Sequence, residues 1–279
     1  ITVWPEMSYG QGAKDMKYRF QWTFPIVLSP HNHKVLYVAG NHLFRSNDEG
    51  VNWEIISPDL TRNDKTKGEP GGGPISRDVS GAEVYCTIFS FAESYHTEGM
   101  FWVGTDDGLV QLSQDDGVTW RTITPNGLPE FATISAIELS RHDHETAYLA
   151  AWNYKLDDYS PYIYKTKNSG ETWDLITKGL PEDDFVRVVR EDPARKNLLY
   201  AGTEKGIYLS LNGGESWQPF QGNLPISPVH DLMIKDDDLV AATHGRSFWI
   251  LDDITPLRQI ATDLLTADHH LFKPRSTYR

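Results

Sequence analysis

Apolar and aromatic residues fall in short runs along the whole chain, separated by clusters of Gly, Pro, Asn, Asp and Ser. Runs of four to six such residues bounded by turn formers predict β-strands. The runs come in sets. Residues 25–28, 35–39 and 42–45 form the first set, closed after a polar turn by 53–56. Residues 87–91, 100–104 and 108–112 form the second, and 134–138, 147–151, 162–165 and 173–176 the third. Residues 185–189, 198–202 and 206–209 open the fourth. A fifth set, 229–234, 238–242 and 247–251, keeps the pattern without the turn.

The turn between the third and fourth run of a set repeats without gaps. Ser46-Asn47-Asp48-Glu49-Gly50-Val51-Asn52-Trp53 aligns with Ser113-Gln114-Asp115-Asp116-Gly117-Val118-Thr119-Trp120. Thr166-Lys167-Asn168-Ser169-Gly170-Glu171-Thr172-Trp173 and Ser210-Leu211-Asn212-Gly213-Gly214-Glu215-Ser216-Trp217 complete the series. Asp or Asn in third place can accept from the backbone just ahead, and Gly supplies positive φ. The Ser or Thr hydroxyl satisfies remaining backbone groups, and Trp is expected to pack the turn against its sheet. Asp48, Gly50, Trp53, Asp115, Gly117, Trp120, Asn168, Gly170, Trp173, Asn212, Gly214 and Trp217 are therefore structural residues in this reading.

Four-stranded antiparallel units repeated at this period predict an all-β propeller. The Trp-to-Trp spacings of 67, 53 and 44 leave room for loop insertions. Blades are expected at 25–57, 83–124, 133–177, 185–221 and 229–260. Residues 1–24 read as the end of a preceding blade and a lead-in, and 261–279 as a linker to a following segment. Residues 58–82, with Gly71-Gly72-Gly73, read as a flexible inserted loop. Five blades are expected to be part of a larger ring.

Composition narrows the function classes. With 26 Lys+Arg against 39 Asp+Glu, the formal net charge is −13. No basic stripe appears, so nucleic acid is not an expected partner. The acidic clusters Asp157-Asp158, Glu182-Asp183-Asp184 and Asp236-Asp237-Asp238 read as solvated loops. Cys86 is the single cysteine, so neither an internal disulfide nor a thiolate metal site is available. No apolar run is long enough to span a membrane. The chain opens at Ile1 and reads as a piece of something longer.

The repeated turns resemble the Asp boxes of BNR-repeat propellers, a group including bacterial sialidases, two-propeller xyloglucanases and the sortilin (VPS10) ectodomain. Segments such as Met16-Lys17-Tyr18-Arg19-Phe20-Gln21-Trp22 and His244-Gly245-Arg246-Ser247-Phe248-Trp249 resemble large bacterial WD40/YVTN/BNR-like proteins, often labelled glycosyl hydrolases. The resemblance implies an exported, extracytoplasmic bacterial protein. It also implies a ring completed by the rest of the polypeptide or by a partner chain.

Strand order puts the repeated turns and the strand 1–2 turns at one end, and the strand 2–3 and 4–1 loops at the other. The latter end collects Asn41, His42, Asp106, Asp107, Asn153, Tyr154, Lys155, Asp157, Asp158, Glu204, Lys205, His244 and Arg246. A glycoside hydrolase needs two carboxylates flanking a bond, one protonated and one charged. Asp106, Asp107 and Glu204 are the candidates, although Asp-Asp-Gly and Glu-Lys-Gly are also ordinary hairpin turns. A sialidase would need three arginines on its substrate carboxylate, and Arg246 is the only one in these loops. The His31-Asn32-His33 and His142-Asp143-His144 pairs have ligand-like spacing but occupy one repeated turn, so no metal is expected. No cofactor is expected either. The preferred reading is a non-catalytic binding propeller for a peptide, glycan or partner subunit. A glycoside hydrolase completed by further blades and a structural subunit of a larger assembly are the alternatives.

Overall fold

The computed structural model describes residues 3–5, 12–72, 77–78, 84–260 and 269–275. Five antiparallel blades follow one another, four with four strands and the fifth with three among the described residues. Blade 1 holds β1 (Ile26–Leu28), β2 (Leu36–Ala39), β3 (Leu43–Ser46) and β4 (Glu54–Ile55). A small hairpin of β5 (Gly71–Gly72) and β6 (Arg77–Asp78) lies in the insertion that follows. Blade 2 comprises β7 (Ile88–Glu93), β8 (Phe101–Thr105), β9 (Val110–Ser113) and β10 (Arg121–Thr122). Blade 3 comprises β11 (Thr133–Leu139), β12 (Ala147–Asn153), β13 (Asp158–Thr166) and β14 (Asp174–Leu175). Blade 4 comprises β15 (Val186–Glu191), β16 (Leu199–Thr203), β17 (Ile207–Ser210) and β18 (Gln218–Pro219). Blade 5 comprises β19 (Val229–Lys235), β20 (Asp238–Thr243) and β21 (Phe248–Leu251), and a short helix α1 (Thr255–Gln259) follows.

The second strands β2, β8, β12 and β16 are buried along their full length. That is why they read as unbroken apolar runs: a strand covered on both faces has no polar side to alternate with. Tyr37, Ala39 and Leu43 of blade 1 pack on Ile88, Phe91 and Phe101 of blade 2. Trp102 and Leu112 meet Ile134 and Ile137 of blade 3. The last cluster runs from Tyr148 and Ile163 through blade 4 to Val229 and Leu232 of blade 5. None of the three clusters joins blade 5 to blade 1.

Each repeated turn is held by one hydrogen-bond set. The Gly50 N–H donates to Ser46 Oγ (2.8 Å), and the Asn52 N–H donates to Asp48 Oδ1 (2.8 Å). The same two bonds recur at Gly117–Ser113 and Thr119–Asp115, at Gly170–Thr166 and Thr172–Asn168, and at Gly214–Ser210 and Ser216–Asn212. Gly117 has φ +85°, and a Cβ there would lie 2.2 Å from the Ile56 carbonyl oxygen of blade 1. The glycine thus answers both its own backbone and the neighbouring blade.

The tryptophans do more than pack a turn on its own sheet. Trp173 Nε1 donates to the Ile123 carbonyl of blade 2 (2.8 Å), and Trp217 Nε1 to the Ile176 carbonyl of blade 3 (2.6 Å). Trp120 Nε1 donates to Gly117 O within its own turn. Trp53 Nε1 is buried with no partner among the described residues. A second set of ties runs the other way. His31 Nε2 donates to Ser94 O, His96 Nε2 to Ser140 O and His142 Nε2 to Asp192 O, at 2.7, 3.1 and 2.9 Å. The first histidine of each pair that sequence spacing singles out, His31 and His142, is an inter-blade strap, with His96 as the third.

Blade 4 carries Ala194 at the strap position, and α1 takes over. Arg195 donates to the Leu257 and Ile260 carbonyls, and Arg258 bridges Asp192 (2.9 Å) and Asp237 (2.6 Å). In blade 5, register puts Leu251 in the place of the turn's Ser or Thr, Thr255 in that of its glycine and Arg258 in that of its Trp. Asp253 accepts from the Thr255 N–H and hydroxyl at the start of α1 instead.

Two expectations need correction. The start of the 58–82 insertion is anchored: Leu60 is buried, Arg19 pairs with Asp59 (2.7 Å), and the Arg62 N–H donates to Asp107 Oδ2 (2.8 Å). Residues 73–76 and 79–82 of that insertion lie outside the described residues. Nor are all acidic clusters solvated, because Asp184 is fully buried against the Thr203 hydroxyl. No helix among the described residues is long and apolar enough to cross a membrane.

Candidate functional site

The strand 2–3 and 4–1 loops share the end opposite the repeated turns, and there the blades stop resembling one another. Blade 3 departs most. After Asn153 its 2–3 loop forms a 3₁₀ turn, Tyr154–Leu156, closed by Asp157 at φ +63°. Asp158 then accepts from the Tyr162 hydroxyl (2.7 Å) and the Ser160 N–H, which hold its carboxyl below the ordinary range against the opposing effect of burial.

This loop and its neighbours enclose a groove of about 180 Å³ lined by Tyr85, Asp106, Phe131, Trp152, Asn153 and Lys155, among others. Aromatic rings continue from it across the blade tops. Trp152 meets Phe89 (6.0 Å between centroids) and Tyr154 (4.7 Å), and Tyr154 stacks on Phe185 at 4.8 Å. Tyr159 closes the series beside Phe185, half-exposed. Cations flank the rings: Lys155 lies 5.4 Å from Trp152, Lys67 4.8 Å from Phe131, and Arg187 4.9 Å from Phe185. Such contacts are favoured by the negative ring faces.

The three candidate carboxylates have different surroundings. Asp106 is buried in the groove wall and accepts from the Thr87 N–H and hydroxyl, both at 2.8 Å. Desolvation pushes its carboxyl up to about 7, against the pull of the Thr87 bonds and Lys155, with the Asp107 charge adding to the rise. Asp107 is fully buried and accepts from the Thr105 hydroxyl (2.5 Å) and the Arg62 N–H. Glu204 is paired with Arg187 at 2.6 Å. It belongs to blade 4, two blades from Asp106, and does not line the groove.

Other residues of the expected face are also engaged. Asn41 is buried, accepting from the Arg19 N–H and donating to Asp59. His42 Nδ1 donates to Ser57 O (3.1 Å), and Lys205 pairs with Asp183 (2.8 Å). His244 stacks on His230 at 5.1 Å, where burial and the Arg187 charge lower the His230 pKa. Arg246 is exposed and its carbonyl accepts from Trp249 Nε1. Lys155 and Asn153 therefore join Asp106 around one groove, with Tyr154 beside it on Trp152, whereas Asn41, His42, His244 and Arg246 do not line it.

Phe131, Trp152, Tyr85 and Phe185 are site residues that the sequence reading passes over. Trp152 and Phe185 sit at strand ends facing the loops, a placement the strand pattern alone could have flagged. Phe131 adopts φ +64° for a bulky residue, which no sequence pattern announces. Among the described residues no group of three or more His, Cys, Asp or Glu side chains is placed to hold a metal ion.

No protein-family model matches the chain, and comparison with curated proteins gives no match. Solved structures do resemble it. A GH74 xyloglucanase from Xanthomonas campestris superposes with a TM-score of 0.61 at 17% identity, over 85% of this chain and 37% of its own. An ancestral GH74 enzyme gives 0.59 at 18% identity, over 87% and 29%. The extracellular domain of a putative hybrid two-component system from B. thetaiotaomicron gives 0.50 at 14%, over 88% and 27%. At these identities the likeness is one of β-propeller fold, and the chain spans about a third of the length of these structures.

Proposed function

We propose that the chain is a non-catalytic binding arc of a larger BNR-type propeller, taking a glycan or peptide across the loop end of blades 2–4. One observation carries this reading. Of the three candidate carboxylates only Asp106 lines the aromatic groove, where the Thr87 N–H and hydroxyl hold it. Acid–base cleavage of a glycosidic bond needs two. What remains at the surface are the rings of Tyr154 and Tyr159, backed by the buried Trp152 and Phe185 and flanked by Lys155, suited to flat-faced or polar extended ligands.

Both ends of the arc support continuation by further blades, from the same polypeptide or a partner. Ile26 pairs with Val38 as Phe91 pairs with Val103, yet Phe91 is 8% exposed and Ile26 50%. Trp53 lacks the carbonyl that Trp173 and Trp217 find in the preceding blade. The exported setting of this protein belongs to the same proposal.

A second reading has one observation in its favour. Asp106, titrating near 7 in an aromatic groove, has the properties of a general acid. It would make the chain part of a glycoside hydrolase whose second carboxylate lies in other blades. Incubation with xyloglucan and other β-glucans separates the two. Binding without release of reducing ends, weakened by Tyr159→Ala, is the expected result. Release of reducing ends that Asp106→Asn abolishes, with the fold intact, would replace the binding reading by the hydrolase.

A further inference from the structure

Among the described residues, blade 5 lacks the outermost strand that the four other blades possess. In blades 1 to 4, β3, β9, β13 and β17 each pair with a two-residue strand. Among the described residues, β21 pairs only with β20. Register makes the comparison residue by residue. Leu199 pairs with Ser210 and Leu239 with Leu251, so Phe248 and Ile250 stand where blade 4 has Ile207 and Leu209. Ile207 and Leu209 are 6% and 2% exposed, whereas Phe248 and Ile250 are 75% and 60%.

Beside this open edge lies a largely apolar groove of about 190 Å³ between blades 4 and 5, whose walls include Phe220, Leu224, Leu239, Ala241, Trp249 and Leu251. The same place between blades 3 and 4 is filled by the residue that opens the outer strand, Trp217. Its backbone N–H donates to Lys178 O (2.8 Å), its Nε1 donates to Ile176 O, and it packs with Leu180, Leu199 and Ala201. Residues 176–181 and 220–225 align position by position, so Phe220 O and Gly222 O correspond to the two carbonyls that hold Trp217.

We infer that the groove between blades 4 and 5 receives the indole of an added strand, which pairs antiparallel with β21 by backbone hydrogen bonds. The inference deepens the reading of an incomplete ring and defines its closing piece chemically. An aromatic residue fills the groove, two extended residues follow, and an apolar residue donates its N–H to Phe248 O. The last contact repeats those of Ile56, Ile123, Ile176 and Phe220 to Leu43, Val110, Ile163 and Ile207. The strand comes from a separate stretch of the ring. The residues directly after β21 run into α1, which Arg195 and Arg258 hold against the strand 1–2 turns of blades 4 and 5. Strand addition to an exposed edge gains affinity from main-chain bonds and specificity from alternate side-chain pockets.

The test uses the full 279-residue chain and a capped peptide copying its own residues 171–178 (Glu-Thr-Trp-Asp-Leu-Ile-Thr-Lys), read by amide hydrogen exchange. By register, the Ile250 N–H points away from β20. It should exchange rapidly in the free chain and slow by about tenfold or more when the peptide saturates. The peptide with Trp173→Ala should bind at least about tenfold more weakly, a loss of about 1.4 kcal/mol. The Ile250→Pro chain, which removes that N–H at an edge position tolerant of proline, should bind the peptide at least about tenfold more weakly. Slow exchange at Ile250 before any peptide is added would overturn the inference, as would no slowing at about 1 mM peptide or equal binding of the two peptides. Failure of glycan or peptide binding on the loop end leaves this result unaffected, because the edge amide is read directly.

Discussion

The two ends of the blades obey different rules. At the turn end, four blades use the same hydroxyl, the same Asp or Asn oxygen and the same glycine at the same spacing. At the loop end, Asn41, Asp106 and Glu204 occupy corresponding loops yet make three different sets of bonds. Repetition marks where residues serve the fold, because every blade must solve the same packing problem. Divergence marks where blades are free to differ, and only there do a groove, an aromatic series and a strongly raised aspartate coincide.

Substitutions test that division, beginning with the turn end. Gly117→Val should be the most damaging, costing roughly 4 kcal/mol or more. It combines a β-branched residue at positive φ with a clash against the Ile56 carbonyl. Urea denaturation measures it, and a loss below about 1 kcal/mol would mean blades 1 and 2 separate easily. Trp173→Ala should cost about 3 kcal/mol, since the indole is partly buried and its N–H bond crosses to blade 2.

Asp106→Asn should act in the opposite direction and depend on pH. A carboxyl raised to about 7 binds its proton more tightly in the folded state than in the unfolded one. Between the unfolded value near 4 and the folded value, stability therefore falls as pH rises, by at most about 1.4 kcal/mol per pH unit. The Asn variant should lose this slope and overtake the parent near neutral pH. Parallel stability–pH curves for the two proteins would remove the distinction drawn for this residue. The smallest effect is expected from His96→Ala, about 1 kcal/mol for one part-buried bond to Ser140 O, read from the shift in denaturation midpoint.

Much of the fold is legible in sequence because its signals are local. Asp48 to Asn52 or Asn168 to Thr172 is a four-residue relation, and the glycine between them has a local reason in φ. What escapes is whatever depends on the adjoining blade. Nothing near Trp173 says that its indole N–H ends on Ile123, fifty residues earlier in the chain. Nothing near His96 distinguishes a strap from a metal ligand until Ser140 is seen beside it. The candidate site is harder still. Asp106 and Asp107 are adjacent and chemically identical, but one shapes a groove wall and the other anchors Arg62. Tertiary surroundings alone separate them.

The inter-blade ties run in both directions, indole to the blade before and imidazole to the blade after. Thermodynamically this makes the arc a linear array of nearest-neighbour couplings, in which a blade's stability is set mainly by its two interfaces. An interior blade then opens only by breaking two of them, whereas blades 1 and 5 each open by breaking one. The interface of blade 5 with blade 4 has Arg190 reaching the Leu232 carbonyl and Asp231, and the α1 guanidinium of Arg258, in place of an indole and an imidazole. Unfolding should therefore begin as fraying at the two outer blades and travel inward, leaving the Trp102–Ile137 core as the last to dissolve.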